Sequence, residues 1–429
     1  MTTRRSFLTG SAAAVGAAAL HPTRAAALQA QDPELPAPIA KLSSMKDRAV
    51  PITLEERAER LARAQQLMGQ HGQSALVLTG GTSLRYFTGI DWGLSERLFA
   101  VVLPREGRPF VVTPSFERDR TVEQVDGGPL KGETEILTWE EDANPYGLVA
   151  QGLRDRGIAS GAIGVEETVR FVFSDGIAQA VPAAKVVSAT SITAGCRMTK
   201  SPAELELMRL ASQVTWIAYR AAWECLEDGM TQNRFATLVR LAHERLGFAG
   251  GAGVQVGPSS ALPHGSVQPQ VVRPGTILLI DGGCKVEEYS SDISRTFVLG
   301  TPTERMRQVF EVVHRAQTEA LRAARPGLPC EAVDAAARRV IDEAGFGPDY
   351  LRFTHRVGHG MGMDGHEWPY LVRGNKLPLE PGMTFSDEPG IYLPGEFGVR
   401  LEDDMVITES GAELFTPQSP SLETPFATG

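Results

Sequence analysis

The stretch His355-Arg-Val-Gly-His359-Gly-Met-Gly-Met-Asp-Gly-His366-Glu367 holds three of the chain's eight histidines. Histidine is the commonest metal ligand and titrates near neutral pH. One histidine alone is more often a satisfied structural group. Three so close together, interleaved with glycines, argue against a regular helix, because glycine lets the backbone approach an ion or a ligand closely. A further histidine, His264, stands in Leu262-Pro-His-Gly265.

Outward from this stretch, the acids form a second set. Thr276-Ile-Leu-Leu-Ile-Asp281-Gly-Gly283 reads as an apolar strand ending in a carboxylate, and Asp292 follows in Ser290-Ser-Asp-Ile-Ser-Arg-Thr-Phe297. A turn between them makes a hairpin and places both acids near one another on adjacent strands. Like charges that close repel unless a cation neutralises them. Glu388 lies in Ser386-Asp-Glu-Pro-Gly-Ile-Tyr392, and Glu402 in Gly398-Val-Arg-Leu-Glu-Asp403. Any one of these acids alone is a solvated surface charge. The apolar neighbours of Asp281 and the glycines around Glu388 and Glu402 weigh against that for the set.

The 429 residues exceed one ordinary core, so two domains are expected. Residues 53–192 read as an α/β domain with a mixed sheet. Thr53 and Glu56 have capping-box spacing, and Leu54, Ala58, Leu61, Ala64 and Met68 mark one helix face. Apolar runs at 75–78, 98–103 and 110–113 read as strands, the last two joined by the turn Pro104–Pro109. Residues 193–429 read as a second domain opened by Ser201-Pro202, a helix start. Further helices are expected after Thr231, near Thr303 and from about Glu331.

The amino-terminal residues 1–30 read as a twin-arginine-type signal: Arg4-Arg5-Ser-Phe-Leu8, then an alanine-rich apolar run, then small residues. Residues 31–52, with Pro33, Pro36 and Pro38, read as a tether. The expected protein is exported, periplasmic or extracellular, with no stable membrane insertion, since no run reaches a bilayer's length. The formal charge of −10 speaks against a nucleic-acid partner. Cys196, Cys225, Cys284 and Cys330 show no regular spacing, so buried thiols and a disulfide both remain open.

The ordered set Asp281, Asp292, His359, Glu388 and Glu402, each inside its own motif, resembles the pita-bread metallopeptidases: aminopeptidase P, prolidase, methionine aminopeptidase and their metal-free relative creatinase. Tyr86-Phe-Thr-Gly89 and Ser95-Glu-Arg-Leu98 are similar to the creatinase/prolidase-type first domain. The fold this implies is α/β (α+β), a creatinase/prolidase-type domain followed by a pita-bread catalytic domain. The resemblance implies two divalent metal ions. Asp281 holds one, Asp292 and Glu402 bridge both, and His359 and Glu388 complete the second. One imidazole and four carboxylates suit manganese, with cobalt, iron or zinc left open. Such a pair activates a water and stabilises the oxyanion formed on attack.

The same resemblance gives the remaining polar residues roles. His264 contacts the substrate near the scissile amide, and His366 donates or relays a proton. His355 lines the pocket of the leaving residue, and Glu388 is the general base. Arg400 orients carboxylates or binds substrate, and Tyr392 supports the ligands. Trp368, before Pro369, either shapes a proline pocket or packs in the core. The expected activity is hydrolysis of the Xaa-Pro bond in a proline-containing peptide, of aminopeptidase P or prolidase type, by a homodimer or higher homo-oligomer. The bond before proline lacks an N–H, and metal polarisation of its carbonyl does without that donor. Two alternatives stay open: a creatinase-like hydrolase or lyase, and a non-catalytic binding protein on the same fold.

Overall fold

Thr53 caps the first long helix, Leu54–Gln70, in a computed structural model that describes residues 35–132 and 134–427. The signal-type segment 1–30 lies outside the described residues. The Thr53 side chain accepts from the Glu56 backbone, and the Glu56 side chain accepts from the Thr53 backbone, as the spacing predicts. Leu61, Ala64 and Met68 are buried, but Leu54 and Ala58 face solvent. Arg60 turns inward instead, where Glu204 and Tyr289 receive its guanidinium.

The expected mixed sheet has six strands, in the spatial order Glu135–Trp139, Phe110–Pro114, Ala100–Pro104, Gln73–Thr79, Gly161–Val165, Ala184–Ser188. Gln73–Thr79, Ala100–Pro104 and Phe110–Pro114 pair antiparallel, and the outer pairings are parallel. Helices on its faces bury Val77, Val102, Phe110, Leu153, Ile163 and Ile177 together. Burial on both faces is why the central strands read as unbroken apolar runs rather than alternating ones.

The helix Thr190–Arg197, which crosses the expected boundary at 192/193, packs on the first domain, with Tyr86 Oη donating to Cys196 O at 3.1 Å. The tether expected over 31–52 is in its second half part of the fold. Residues Ala37–Ala40 form a helical turn that packs against the helices Pro202–Trp223 and Gln232–Leu246, with Ile39 fully buried. Met45 N donates to Leu246 O at 2.8 Å. Burying one isoleucine contributes about 1.5–3 kcal/mol, which offsets part of the entropy lost in ordering the turn.

In the second domain, Ser201 and Glu204 form a second capping box at the start of Pro202–Trp223. Gln232–Leu246, Glu304–Ala323 and Cys330–Glu343 are the expected later helices, the first two capped by Thr231 and Thr303. One antiparallel sheet orders Ile293–Val298, Ile277–Val286 and Gly250–Val256. A second orders Glu367–Leu371, Gly358–Gly360, Thr384–Asp387, Asp403–Ile407 and Ala412–Leu414, and Gly390–Leu393 pairs with Phe397–Arg400. The strand expected to stop at Asp281 runs on to Val286, which puts Asp281 mid-strand, opposite Ser294. All four cysteines are free thiols, three of them buried. Among the described residues no helix is long and apolar enough to cross a membrane.

Candidate metal centre

The two antiparallel sheets aim their acids at one place. Asp281, Asp292 and Glu402 offer oxygens that all lie within 4.8 Å of one another. His359, Glu388 and Glu402 form a second such group, and Asp292, His359 and His366 a third. Asp292, His359 and Glu402 each belong to two groups, so the three groups overlap in one cluster. All five expected ligands therefore converge, and His366 joins them at ligand distance, closer than its role outside the ligand set implied.

Local structure explains the convergence. His359 sits between Gly358 and Gly360, where an added Cβ would fall 2.0 Å from Ser386 O and 2.5 Å from Glu367 O respectively. Any side chain there would force the neighbouring strands apart, so the glycines are a packing requirement. Glu388 follows the strand Thr384–Asp387; its backbone N donates to Val357 O at 2.8 Å, and its Oε1 lies 3.3 Å from His359 Nε2. Asp292 is held from behind, its backbone N donating to both oxygens of Asp404, at 3.2 and 3.1 Å.

A polar chain orients the acids. Ser294 Oγ lies 2.9 Å from Asp281 Oδ1 and 2.7 Å from Glu402 Oε2, and its single proton serves one of them at a time. Arg400, 4% exposed, donates to Ser294 Oγ at 3.0 Å, to Asp281 Oδ2 at 2.8 Å and to Tyr392 Oη at 2.7 Å. Tyr392 Oη in turn lies 2.7 Å from His355 Nε2. With its oxygen accepting from Arg400, the phenol donates to Nε2, which leaves the His355 proton on Nδ1, 2.8 Å from Arg356 O. Arg400 and Tyr392 are thus tied directly into the site.

The charges do not balance within the protein. Burial first, then the neighbouring acids Asp281, Asp404 and Glu388, push the Asp292 carboxyl well above the ordinary range. Burial, then Asp292, Glu388 and Asp281, do the same to Glu402. Glu388 goes the other way. Burial opposes its ionisation, but the hydrogen bond from His359 and the charges of His355, His359 and Arg400 hold it at about 2. Burial also pushes His355 down, so at neutral pH the His359 hydrogen bond and Arg400 carry that effect. His366 is pushed down to about 4 by shielding of its ring, then by His359 and Arg356, so it is neutral at pH 7. Crowded, partly buried acids facing one arginine are a donor set that fits hard divalent cations.

Two expected substrate residues stand at the rim. His264 lies in an exposed turn after Gly257–Ala261, and among the described residues its side chain has no hydrogen-bonded partner. Its neighbour Pro263 ties the turn to the site by accepting from Arg400 Nη1 at 3.2 Å. Trp368 is 38% exposed, which rules out core packing. It leans on Tyr370 and donates from Nε1 to Glu167 Oε1 at 3.1 Å.

Sequence reasoning passed over two residues here. Arg356 lies with its guanidinium 4.1 Å above the Tyr370 ring and Nη2 3.1 Å from His366 Nδ1, and no acid pairs with it among the described residues. Its place inside the histidine run was the available signal. Ser294 gave none, being a lone serine in a buried strand.

The chain matches the creatinase/prolidase N-terminal domain over residues 60–199 and metallopeptidase family M24 over residues 206–409. It is 38% identical over 361 residues to the "Probable dipeptidase PepE" of Mycobacterium tuberculosis, spanning 83% of this chain and 93% of that protein. It is 31% identical over 373 residues to the Xaa-Pro dipeptidase of Lactobacillus helveticus, spanning 85% and 98%. Among solved structures, the dipeptidase PepE of Mycobacterium ulcerans superposes with a TM-score of 0.82 at 34% identity, covering 88% of this chain and all of that one (100%). The recombinant prolidase of Thermococcus sibiricus superposes with a TM-score of 0.78 at 28% identity, covering 87% and 100%. With a pita-bread domain behind a creatinase-like one, this chain belongs to metallopeptidase family M24.

Proposed function

We propose that this protein is an exported Xaa-Pro dipeptidase that works with two divalent cations. The observation that carries the reading is the convergence of Asp281, Asp292, His359, Glu388 and Glu402 on one place. Dipeptidase is favoured over aminopeptidase by the relatives named dipeptidase and Xaa-Pro dipeptidase. Asp281, Asp292, His359, Glu388 and Glu402 would hold the two cations. The oxygen-rich set favours manganese. When bound, the pair lowers the pKa of a water and polarises the scissile carbonyl.

The chain's own residues do the rest. Glu388, ionised beside His359, receives the proton of the attacking water. His366 passes a proton on to the leaving proline nitrogen, replacing the one Glu388 takes from the water. The Arg400–Tyr392–His355 chain keeps Asp281 turned inward and His355 in one tautomer beside Glu388. His264 meets the substrate from its turn, and Trp368 with Tyr370 forms a wall for the proline ring. Arg356, which no acid pairs with among the described residues, receives the carboxylate of a carboxyl-terminal proline, a group that a longer peptide does not present there. Activity in the absence of metal would instead favour the creatinase-like alternative.

The test is turnover of Ala-Pro against Ala-Pro-Ala by purified, manganese-loaded protein. A preference of about a hundredfold for the dipeptide is expected, which is about 2.7 kcal/mol in transition-state binding. Equal rates or a tripeptide preference overturn the dipeptidase assignment. Export on residues 1–30 and assembly as a homodimer or higher oligomer belong to the same proposal. Fractionation of cells expressing an Arg4→Lys/Arg5→Lys variant, and light scattering, check them.

A further inference from the structure

The loop that carries His366 belongs to the second domain, yet Thr82 and Arg197 of the first domain fasten it. Thr82 Oγ1 donates to Asp364 Oδ1 at 2.6 Å. Arg197 Nη2 lies 2.6 Å from Asp364 Oδ2 and also bonds Glu367 Oε2, while Nη1 donates to Ser83 Oγ at 3.3 Å. Lys200 Nζ lies 2.7 Å from Glu367 Oε1. The acids at 364 and 367 bracket His366, so both sides of its short loop are gripped. The gripping segment is itself fixed: Lys200 N donates to Gly382 O at 2.9 Å, and Thr199 bridges to Met383.

These charges are deeply placed. The side chains of Lys200, Glu367 and Arg197 are 1%, 7% and 12% exposed. Two cations face two carboxylates, so the cluster carries no net charge. Buried ion pairs are weak evidence for stability, because desolvation offsets most of their attraction, and their better-attested use is to fix one conformation. What this cluster fixes is a ring. His366 stacks on His359 with centroids 3.7 Å apart and planes inclined by 16°. A displacement of about 1 Å at a reacting group can lower a rate about a hundredfold.

We propose that Arg197 is a positioning residue that acts through His366, so that the end of the first domain sets the geometry of the proton-transfer group in the second. The proposal rests on the role given above to His366. Arg197→Gln is expected to lower kcat for Ala-Pro by about tenfold to a hundredfold, with KM within about threefold and metal per chain unchanged. In a His366→Ala background the same change is expected to have no further effect beyond about twofold, the non-additivity of residues acting as one unit. Arg197→Lys should recover part of the loss. Thr82→Val, which loosens only Asp364, should give a smaller loss that also vanishes in the His366→Ala background. It serves as the test should Arg197→Gln fold poorly.

Losses that multiply in the double variant, metal loss in proportion to activity, or full activity of His366→Ala would each overturn the positioning role. If wild-type protein cleaves no Xaa-Pro dipeptide, the dipeptidase reading falls separately. Crystal structures then decide the positioning role: a His366 ring displaced from His359 in Arg197→Gln supports it, and an unmoved ring overturns it.

Discussion

Arg400 Nη2 sits 2.8 Å from Asp281 Oδ2, and among the described residues no other arginine or lysine pairs with Asp281, Asp292, Glu388 or Glu402. One fixed cation faces four acids, and the deficit is largest at Asp292 and Glu402, where burial and mutual repulsion favour the protonated form. The protein without metal should therefore be strained by its own site.

That strain has a sign. Glu402 holds its proton more tightly folded than unfolded, so its contribution is fully present below the ordinary carboxylate range and is lost as pH rises from there through its raised folded value. Metal-free protein is expected to lose thermal stability as pH climbs above about 4.5. Manganese at a hundred times its dissociation constant should add about 2.7 kcal/mol. Glu402→Gln should raise the melting temperature of the metal-free protein and blunt the response to manganese. Melting curves across pH, with and without metal, check both.

Arg356 makes a prediction about selectivity. Arg356→Met should lower kcat/KM for Ala-Pro by about tenfold to a hundredfold, the loss of one charge-assisted contact, while hydrolysis of Ala-Pro-amide changes little. Steady-state rates on the two substrates measure this. Equal losses on both would remove Arg356 from carboxylate recognition.

His243 provides a control on stability away from the acids. It is fully buried, its Nδ1 donates to Val239 O at 2.9 Å, and burial pushes it down to about 4. A histidine depressed in the folded state contributes stability above its unfolded value, about 6.5, and that contribution is lost as pH falls toward 4. The loss should approach about 3 kcal/mol, and His243→Gln should flatten the fall between pH 6.5 and 4 in chemical denaturation.

Arg295 and Asp403 form a pair with both side chains 0% exposed, Nη2 to Oδ1 2.7 Å apart. Arg295→Met leaves Asp403 charged and buried without its cation, and should cost about 3–5 kcal/mol. Replacing both residues by apolar ones of similar size should restore much of that. Urea denaturation of the three proteins measures it.

Much of this molecule is legible in the sequence where one residue type has one local use. Thr53, Ser201, Thr231 and Thr303 announce helix starts and cap them. Asp281, Asp292, His359, Glu388 and Glu402 stand in an ordered series of motifs, and they converge. What stayed hidden depends on partners far away in the chain. Arg60 is buried only because Glu204 and Tyr289 receive it, and Ile39 only because two later helices offer it a seat. No spacing or motif joins Arg197, Lys200 and Glu367 in the sequence, and the fold brings them together. Trp368 looked equally suited to the core, and its exposure follows from the indole reaching Glu167 of the first domain.

The most direct test is metal content against activity. Purified wild-type protein, stripped and reloaded, should bind two manganese ions per chain, and Ala-Pro hydrolysis should rise with the loading. Asp292→Asn should lose both metal and activity, the latter by about a thousandfold or more. Full turnover by metal-free protein, or undiminished metal binding in Asp292→Asn, contradicts a shared cation site built from these five side chains.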